Sequence, residues 1–305
     1  MRIVSLLPSA TEIICALGLN DQLVGVSNRC DYPPEIEGVA VVTRPASGDA
    51  PDAAAAVATS GPGPDDELGP SELDRAALLA AAPDLIIACD RGARPGPREL
   101  EAALVAVEPS PTIVVLDPIT LEGIFHSITT IGAMTESEDD AIELVEALRE
   151  DIGEFEQGVL ARHDQGLRPK RVVVLEGLDP LLAGGRWVPQ QVRRAGGWDL
   201  LGREGEPASP TTWEAIADVD PEMLLFAPAG LTLLGAQSVW RRLERPAFWE
   251  ELTAVRRGQI FFVEPVYFYR PGPRVVDGVG MLAEIFDPEG FVDTSPPDSW
   301  TPLVD

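Results

Sequence analysis

Apolar residues fall in two rhythms along this chain. Short, mostly apolar runs (Ile3 to Leu7, Leu23 to Val26, Leu85 to Ala88, Ile113 to Leu116) alternate with stretches whose apolar residues return every three to four positions. The first rhythm reads as strands buried on both faces, the second as helices packed along one face. Strands are predicted over 2–6, 23–27, 85–88 and 112–115, and helices over 9–18, 72–81 and 97–107. Pro83-Asp84 stops a helix directly before the strand at Leu85. A helix is then predicted over 121–134, and a longer one begins where Ser137 can cap, with Asp140 three residues on. Ile142, Val145, Leu148, Ile152, Phe155 and Val159 lay one apolar stripe along it. From Glu138 to Ala161 that helix would run roughly 36 Å. Past Pro169 the alternation restarts, with strands at 171–175, 223–226 and 259–263 and helices at 188–195, 212–217, 232–244 and 273–286.

This order predicts an α/β protein with an N-terminal lobe over 1–118, a connecting helical segment over 119–165 and a C-terminal lobe over 166–305. Open α/β sheets bind ligands beyond the carboxyl ends of their strands, so the strand-following loops are the candidate site. Residues 45–70 interrupt the first lobe with a Pro/Gly/Ala/Asp-rich insertion, read as a surface excursion in which Asp52 caps a short Ala53–Ala58 helix. The first strand begins at residue 2 with no apolar leader before it. As written, the chain is expected in the cytoplasm; with a leader removed, it would be periplasmic or extracellular.

Charge narrows the partners. The net charge is −27, with 50 acidic against 23 basic residues, and Lys170 is the sole lysine. Such an excess repels phosphate backbones and anionic lipid, which excludes nucleic acid as a partner. No apolar run reaches the ~18–20 residues of a membrane span, so direct membrane insertion is not expected. The acidity reads as a solvated surface suited to salt, or as a docking face for a basic partner.

Enzymatic constellations are missing, and the chain is expected not to be an enzyme. Its two histidines, His126 and His163, lie in the connecting segment, and no nucleophile elbow, P-loop or H-E-x-x-H motif occurs. Three cysteines (Cys15, Cys30, Cys89) make no disulfide framework. Cys15 reads as core filler. Cys30 and Cys89 sit on the ligand edge as weak metal candidates, too few for a zinc site. What does gather at the strand-following loops is aromatic rings and arginines: Asp31-Tyr32 after the second strand, Arg186-Trp187 before a helix, and Tyr267-Phe268-Tyr269-Arg270 after the last strand. Flat aromatic walls with a few polar groups suit a large planar ligand, and an arginine among them can pair or stack. Pro8, in the turn after the first strand, and Asp90 and Arg91, after the strand at 85–88, complete the predicted contact set.

Several strings taken together resemble one family. They are Ser5-Leu6-Leu7-Pro8-Ser9-Ala10-Thr11-Glu12, Cys30-Asp31-Tyr32-Pro33-Pro34, Ala82-Pro83-Asp84-Leu85-Ile86-Ile87, Gly185-Arg186-Trp187-Val188-Pro189, Trp213-Glu214 with Asp220-Pro221-Glu222, and Arg270-Pro271-Gly272-Pro273-Arg274 running on to Gly278. In this order the chain resembles the helical-backbone (class III) substrate-binding proteins of ABC importers, and within them the cobalamin-binding branch. The resemblance implies two Rossmann-like lobes joined by one long helix, with the ligand between them. It implies that Tyr32 lies against the ligand and that Tyr267 to Arg270 closes the other side. An acid on each lobe would dock an importer membrane subunit: Glu214 on the second, Asp74 or Glu72 on the first. Leaderless members of that branch carry a His before C-D-Y-P, a two-cysteine motif after the P-D-L strand and a P-C-G-F after a second-lobe strand. Here those places read Asn28, Cys89-Asp90-Arg91-Gly92 and Pro228-Ala229-Gly230.

The expectation is a non-catalytic protein that needs no cofactor and holds a small-molecule ligand, cobalamin or another corrinoid or a similar metal chelate, between its lobes. The alternative is a cytosolic metal-handling or enzyme-accessory protein on the same fold, built around Cys30, Cys89 and Asp90.

Overall fold

A computed structural model of the chain describes residues 1–45, 71–89 and 95–303. The 45–70 insertion past Pro45, with the Asp52-capped helix predicted in it, lies outside the described residues, as do Asp90 and Arg91.

The first lobe is built on a four-stranded parallel sheet of β1 (Ile3–Ser5), β2 (Leu23–Val26), β5 (Leu85–Ala88) and β6 (Thr112–Val115), in the order β2-β1-β5-β6. Every residue of β1 and β5 is buried, as a strand covered on both faces requires, and the buried Ser5 hydroxyl donates to the Leu7 carbonyl. The chain winds from β1 to β2 on one side and then returns to β5 on the other. The loops after β1 and β5 therefore flank the point where the strand order reverses, the place such sheets reserve for ligands. A small antiparallel pair, β3 (Thr43–Pro45) and β4 (Ser71–Leu73), brackets the insertion. The helix predicted over 72–81 is accordingly shorter, Arg75–Ala81, because Ser71 to Leu73 pairs as strand.

Two helices, Leu121–Met134 and Glu138–Asp164, join the lobes. The second has 27 residues, about 40 Å at the ordinary rise. Its buried stripe is Ala141, Val145, Leu148, Ile152 and Val159, while Ile142 is half exposed. Ala141 takes the place predicted for Ile142 because Gly132 of the preceding helix comes so close there that only a small side chain fits. The predicted capping box does not form: the Ser137 side chain makes no cap bond and instead donates to the Thr135 carbonyl.

In the second lobe β7 (Lys170–Leu178), β13 (Met223–Phe226) and β14 (Ile260–Val263) run parallel. The start of β7 pairs with β10 (Gly197–Asp199), and its end turns back into the antiparallel β8 (Leu181–Ala183), which pairs with β12 (Ser209–Pro210). An antiparallel strand, β15 (Trp300–Pro302), covers the β14 edge. Behind this sheet Trp213, Trp240 and Trp249 pack ring against ring with centroids 5.0–6.3 Å apart. One apolar core runs from Ile3 of the first lobe, through the stripe of the long helix, to Phe286 of the second.

Candidate functional site

The strand-following loops of both lobes meet between the sheets. Helix Pro8–Ala16 starts directly after β1, with Pro8 in the first turn, where its missing N–H costs nothing. That helix carries a single charge, Glu12, whose carboxylate is 3% exposed. A buried carboxylate demands partners, and both come from the other lobe. Arg270 Nη1 donates to Glu12 Oε1 at 2.9 Å, and Arg274 Nε donates to Oε2 at 2.9 Å, with a second Arg274 bond to Oε1. Arg270 also reaches Asp31, with Nη1 donating to Oδ1 at 2.7 Å.

Aromatic rings complete the bridge. The Arg274 guanidinium lies 4.2 Å from the Tyr32 ring centroid and 5.6 Å from that of Tyr267. Burial works against the Arg274 charge, yet the Glu12 carboxylate beside it outweighs burial and raises the pKa. The structure thus brings together the predicted Asp31, Tyr32, Tyr267 and Arg270. It adds Glu12 and Arg274, which sequence reasoning missed. The signals were present: one acid in an otherwise apolar helix, and a second arginine four residues after Arg270.

Two cavities flank this bridge. An inner one of about 40 Å³ is lined by Leu7 and Ser9 after β1, Cys89 after β5, Leu116 to Pro118 after β6, and Arg186, Trp187, Tyr269 and Pro271 from the second lobe. An outer one of about 420 Å³ is lined by Arg29, Asp31 and Tyr32 from the first lobe and by Ala229 to Thr232, Glu264, Arg270 and Arg274 from the second. Tyr269 borders both. Its hydroxyl is buried and has no hydrogen-bond partner among the described residues. Burial, reinforced by Glu176 and Asp199, holds its pKa well above the ordinary phenol value, so the hydroxyl keeps its proton.

Other predicted positions turn out differently. Phe268 is fully buried in the core: in the single turn Val266–Tyr269 it packs inward, while Tyr267 meets Arg274 and Tyr269 lines the cavities. Trp187 is 1% exposed and belongs mostly to the core, although it borders the inner cavity. Pro8 is buried, and its neighbours Leu7 and Ser9 supply the cavity wall. Arg186 stands at a positive φ of 54° in β9 (Gly185–Arg186), beside β11 (Arg203–Glu204), and reaches the inner cavity. Asp74 caps the helix Arg75–Ala81, its Oδ1 accepting from the Ala77 N–H at 3.0 Å. Glu72 pairs with Arg44, and Glu214 is exposed in the first turn of the helix Trp213–Val219.

Cys30 lies against hydroxyls, with Sγ 3.1 Å from Thr11 Oγ1 and 3.3 Å from Ser27 Oγ. Among the described residues no group of three or more His, Cys, Asp or Glu side chains could hold a metal ion. Asn28, which replaces the histidine of the resemblance, accepts from Thr43 Oγ1 at 2.7 Å and Ser71 Oγ at 3.0 Å and so pins the β2 loop to the β3–β4 pair. No described helix is long and apolar enough to cross a membrane.

Comparison with known proteins gives the fold and the family. An uncharacterized ABC transporter substrate-binding lipoprotein of Bacillus subtilis, YvrC, is 24% identical over 298 residues, covering 95% of this chain and 81% of that one. A vitamin B12-binding protein of Vibrio cholerae is 27% identical over 295 residues, covering 91% and 86%. Among solved structures, the periplasmic vitamin B12 binding protein BtuF of Vibrio cholerae superposes with a TM-score of 0.66 at 22% identity, covering 93% of this chain and 96% of that one. A periplasmic heme binding protein from Pseudomonas aeruginosa superposes at 0.69 with 21% identity, covering 99% and 95%. These structural likenesses establish the bilobal fold. The family model for periplasmic binding proteins matches residues 3–267, from the first strand through the aromatic turn of the cleft, and on that span the chain belongs to the periplasmic binding protein family.

Proposed function

We propose that this chain is a non-catalytic binding component of an ABC importer that holds a corrinoid between its lobes. The observation that carries this reading is the meeting of flat rings and guanidinium groups from both lobes at one place: Tyr32 with Arg274, Tyr267 and Arg270. A planar macrocycle rimmed with carbonyl oxygens suits such a surface, with rings supplying area and arginines supplying donors. Vitamin B12-binding proteins of Vibrio cholerae and Pectobacterium atrosepticum, 27% and 25% identical, support the choice of a corrinoid. Heme-binding proteins share the fold, which makes hemin the competing ligand. An importer role places the protein on the outer side of the membrane, with exposed Glu214 among the groups that would meet the membrane subunit.

Titration calorimetry with cyanocobalamin and with hemin tests the reading. Saturable binding of cyanocobalamin is expected, weakened roughly tenfold or more in Tyr32→Ala, the scale of losing a central aromatic contact. Binding of hemin without cyanocobalamin would move the ligand to heme. Binding of neither would remove the tetrapyrrole class.

A further inference from the structure

Arg29 is out of place in this molecule. Acidic residues outnumber basic ones by 50 to 23, and several arginines take carboxylates: Arg162 with Asp287, Arg193 with Glu204, Arg257 with Glu222. Arg29 forms no ion pair with any described residue, although it lines the 420 Å³ outer cavity between the lobes. Its Nε is buried without a hydrogen-bond partner among the described residues. Its backbone is held, with the N–H donating to Ser27 Oγ at 3.2 Å. A buried charged donor left unpartnered is costly, and an acceptor entering the cavity would relieve that cost. Arg270 and Arg274 line the same cavity. Its two carboxylates are already engaged, Asp31 with Arg270 at 2.7 Å and Glu264 with the Leu233 N–H at 3.1 Å.

We infer that Arg29, with Arg270 and Arg274 across the outer cavity, receives an anionic oxygen group of the cleft ligand, a phosphate or a carboxylate. The inference rests on the cleft being the ligand site, and it makes the ligand an acid or phosphodiester rather than a neutral macrocycle. Arg29 acts as a specificity-determining residue: of the three arginines lining the outer cavity, it is the one with no ion pair among the described residues.

Two measurements test it. The first follows the Arg29 Nε–Hε resonance, identified by its loss in Arg29→Gln, during titration with inorganic phosphate; a saturable shift is expected. The second measures cyanocobalamin, which carries a phosphodiester, and cobinamide, which lacks it, on the parent protein and on Arg29→Gln and Arg29→Lys. Arg29→Gln is expected to weaken cyanocobalamin by roughly tenfold to a hundredfold, the range of one charge-assisted hydrogen bond, and to leave cobinamide within about twofold. Arg29→Lys should recover part of the loss. Equal cyanocobalamin affinities for the parent and Arg29→Gln overturn the inference and leave the corrinoid reading standing. A phosphate shift at Arg29 with no corrinoid binding keeps the anion site and removes the corrinoid. Absence of both removes both.

Discussion

Asp199, at the end of β10, shows how one side chain can tie this fold to pH. One carboxylate oxygen accepts the N–H groups of Leu201 (3.2 Å) and Gly202 (2.9 Å). The other is buried with no hydrogen-bond partner among the described residues. Burial pushes its pKa up to about 6, against the downward pull of those backbone donors. The folded chain therefore holds a proton that the unfolded chain releases near pH 4. This contribution to stability is complete below pH 4 and is lost as pH rises through about 6. Asp199→Asn keeps the acceptor and removes the charge. It should stabilise the protein at pH 7 by roughly 2–3 kcal/mol and flatten the stability profile between pH 4 and 6, as read by urea unfolding. A parent profile that rises with pH across that window would refute the assignment. Residues of this kind were illegible in the sequence, because Asp199 is one acid among many until the fold buries it. Tyr32, Tyr267 and Arg270 were legible because each follows a strand at the edge where the two lobes meet. The fold placed Phe268 in the core rather than at the cleft, since a single helical turn points neighbouring side chains in different directions.

At the scale of elements, the aromatic turn after β14 is positioned by a glycine. In the helix Val275–Phe286, a Cβ on Gly278 would stand 2.5 Å from the Tyr267 carbonyl oxygen and 2.6 Å from Gln191 Nε2. The same Gln191 amide donates to the Tyr267 carbonyl at 2.9 Å and to that of Val275 at 2.8 Å, stitching turn, helix and the neighbouring helix Val188–Arg194 together. Gly278→Ala must displace this junction. A loss of roughly 1–3 kcal/mol in thermal or urea unfolding is expected from such overpacking, along with weaker ligand binding, because Tyr267 moves with the junction. An unchanged unfolding midpoint would show that the turn yields freely. Most helices and central strands were readable from periodicity, since burial on one face or two imposes it. The short pieces were not: β8, β12 and β15 are two or three residues long, held by pairing with distant strands rather than by any local pattern.

For the whole molecule, the lobes are tied through a buried charge cluster as well as through the long helix. Glu12 from one lobe takes both Arg270 and Arg274 from the other, and its 3% exposure leaves no water to replace a lost partner. Glu12→Gln keeps the shape and leaves two guanidinium groups short of a countercharge. A destabilisation of roughly 3 kcal/mol in urea unfolding is expected. Loss of the exposed pair Arg149–Glu122, by Arg149→Ala, should cost under about 1 kcal/mol. Equal effects of the two substitutions would mean that the inter-lobe cluster is no stronger than a surface pair.

By itself the sequence determined the α/β class, the lobe–helix–lobe order, the long connecting helix and the edge on which the strand-following loops meet, because apolar periodicity and chain punctuation are local consequences of burial. Pairings made across 239 and 262 residues, Arg270 with Asp31 and Arg274 with Glu12, leave no local trace. Only the tertiary structure decided which of the many charges are spent holding the lobes together and that Arg29 is left facing the cavity. A charge takes its role from the partners and the solvent that folding brings to it or removes.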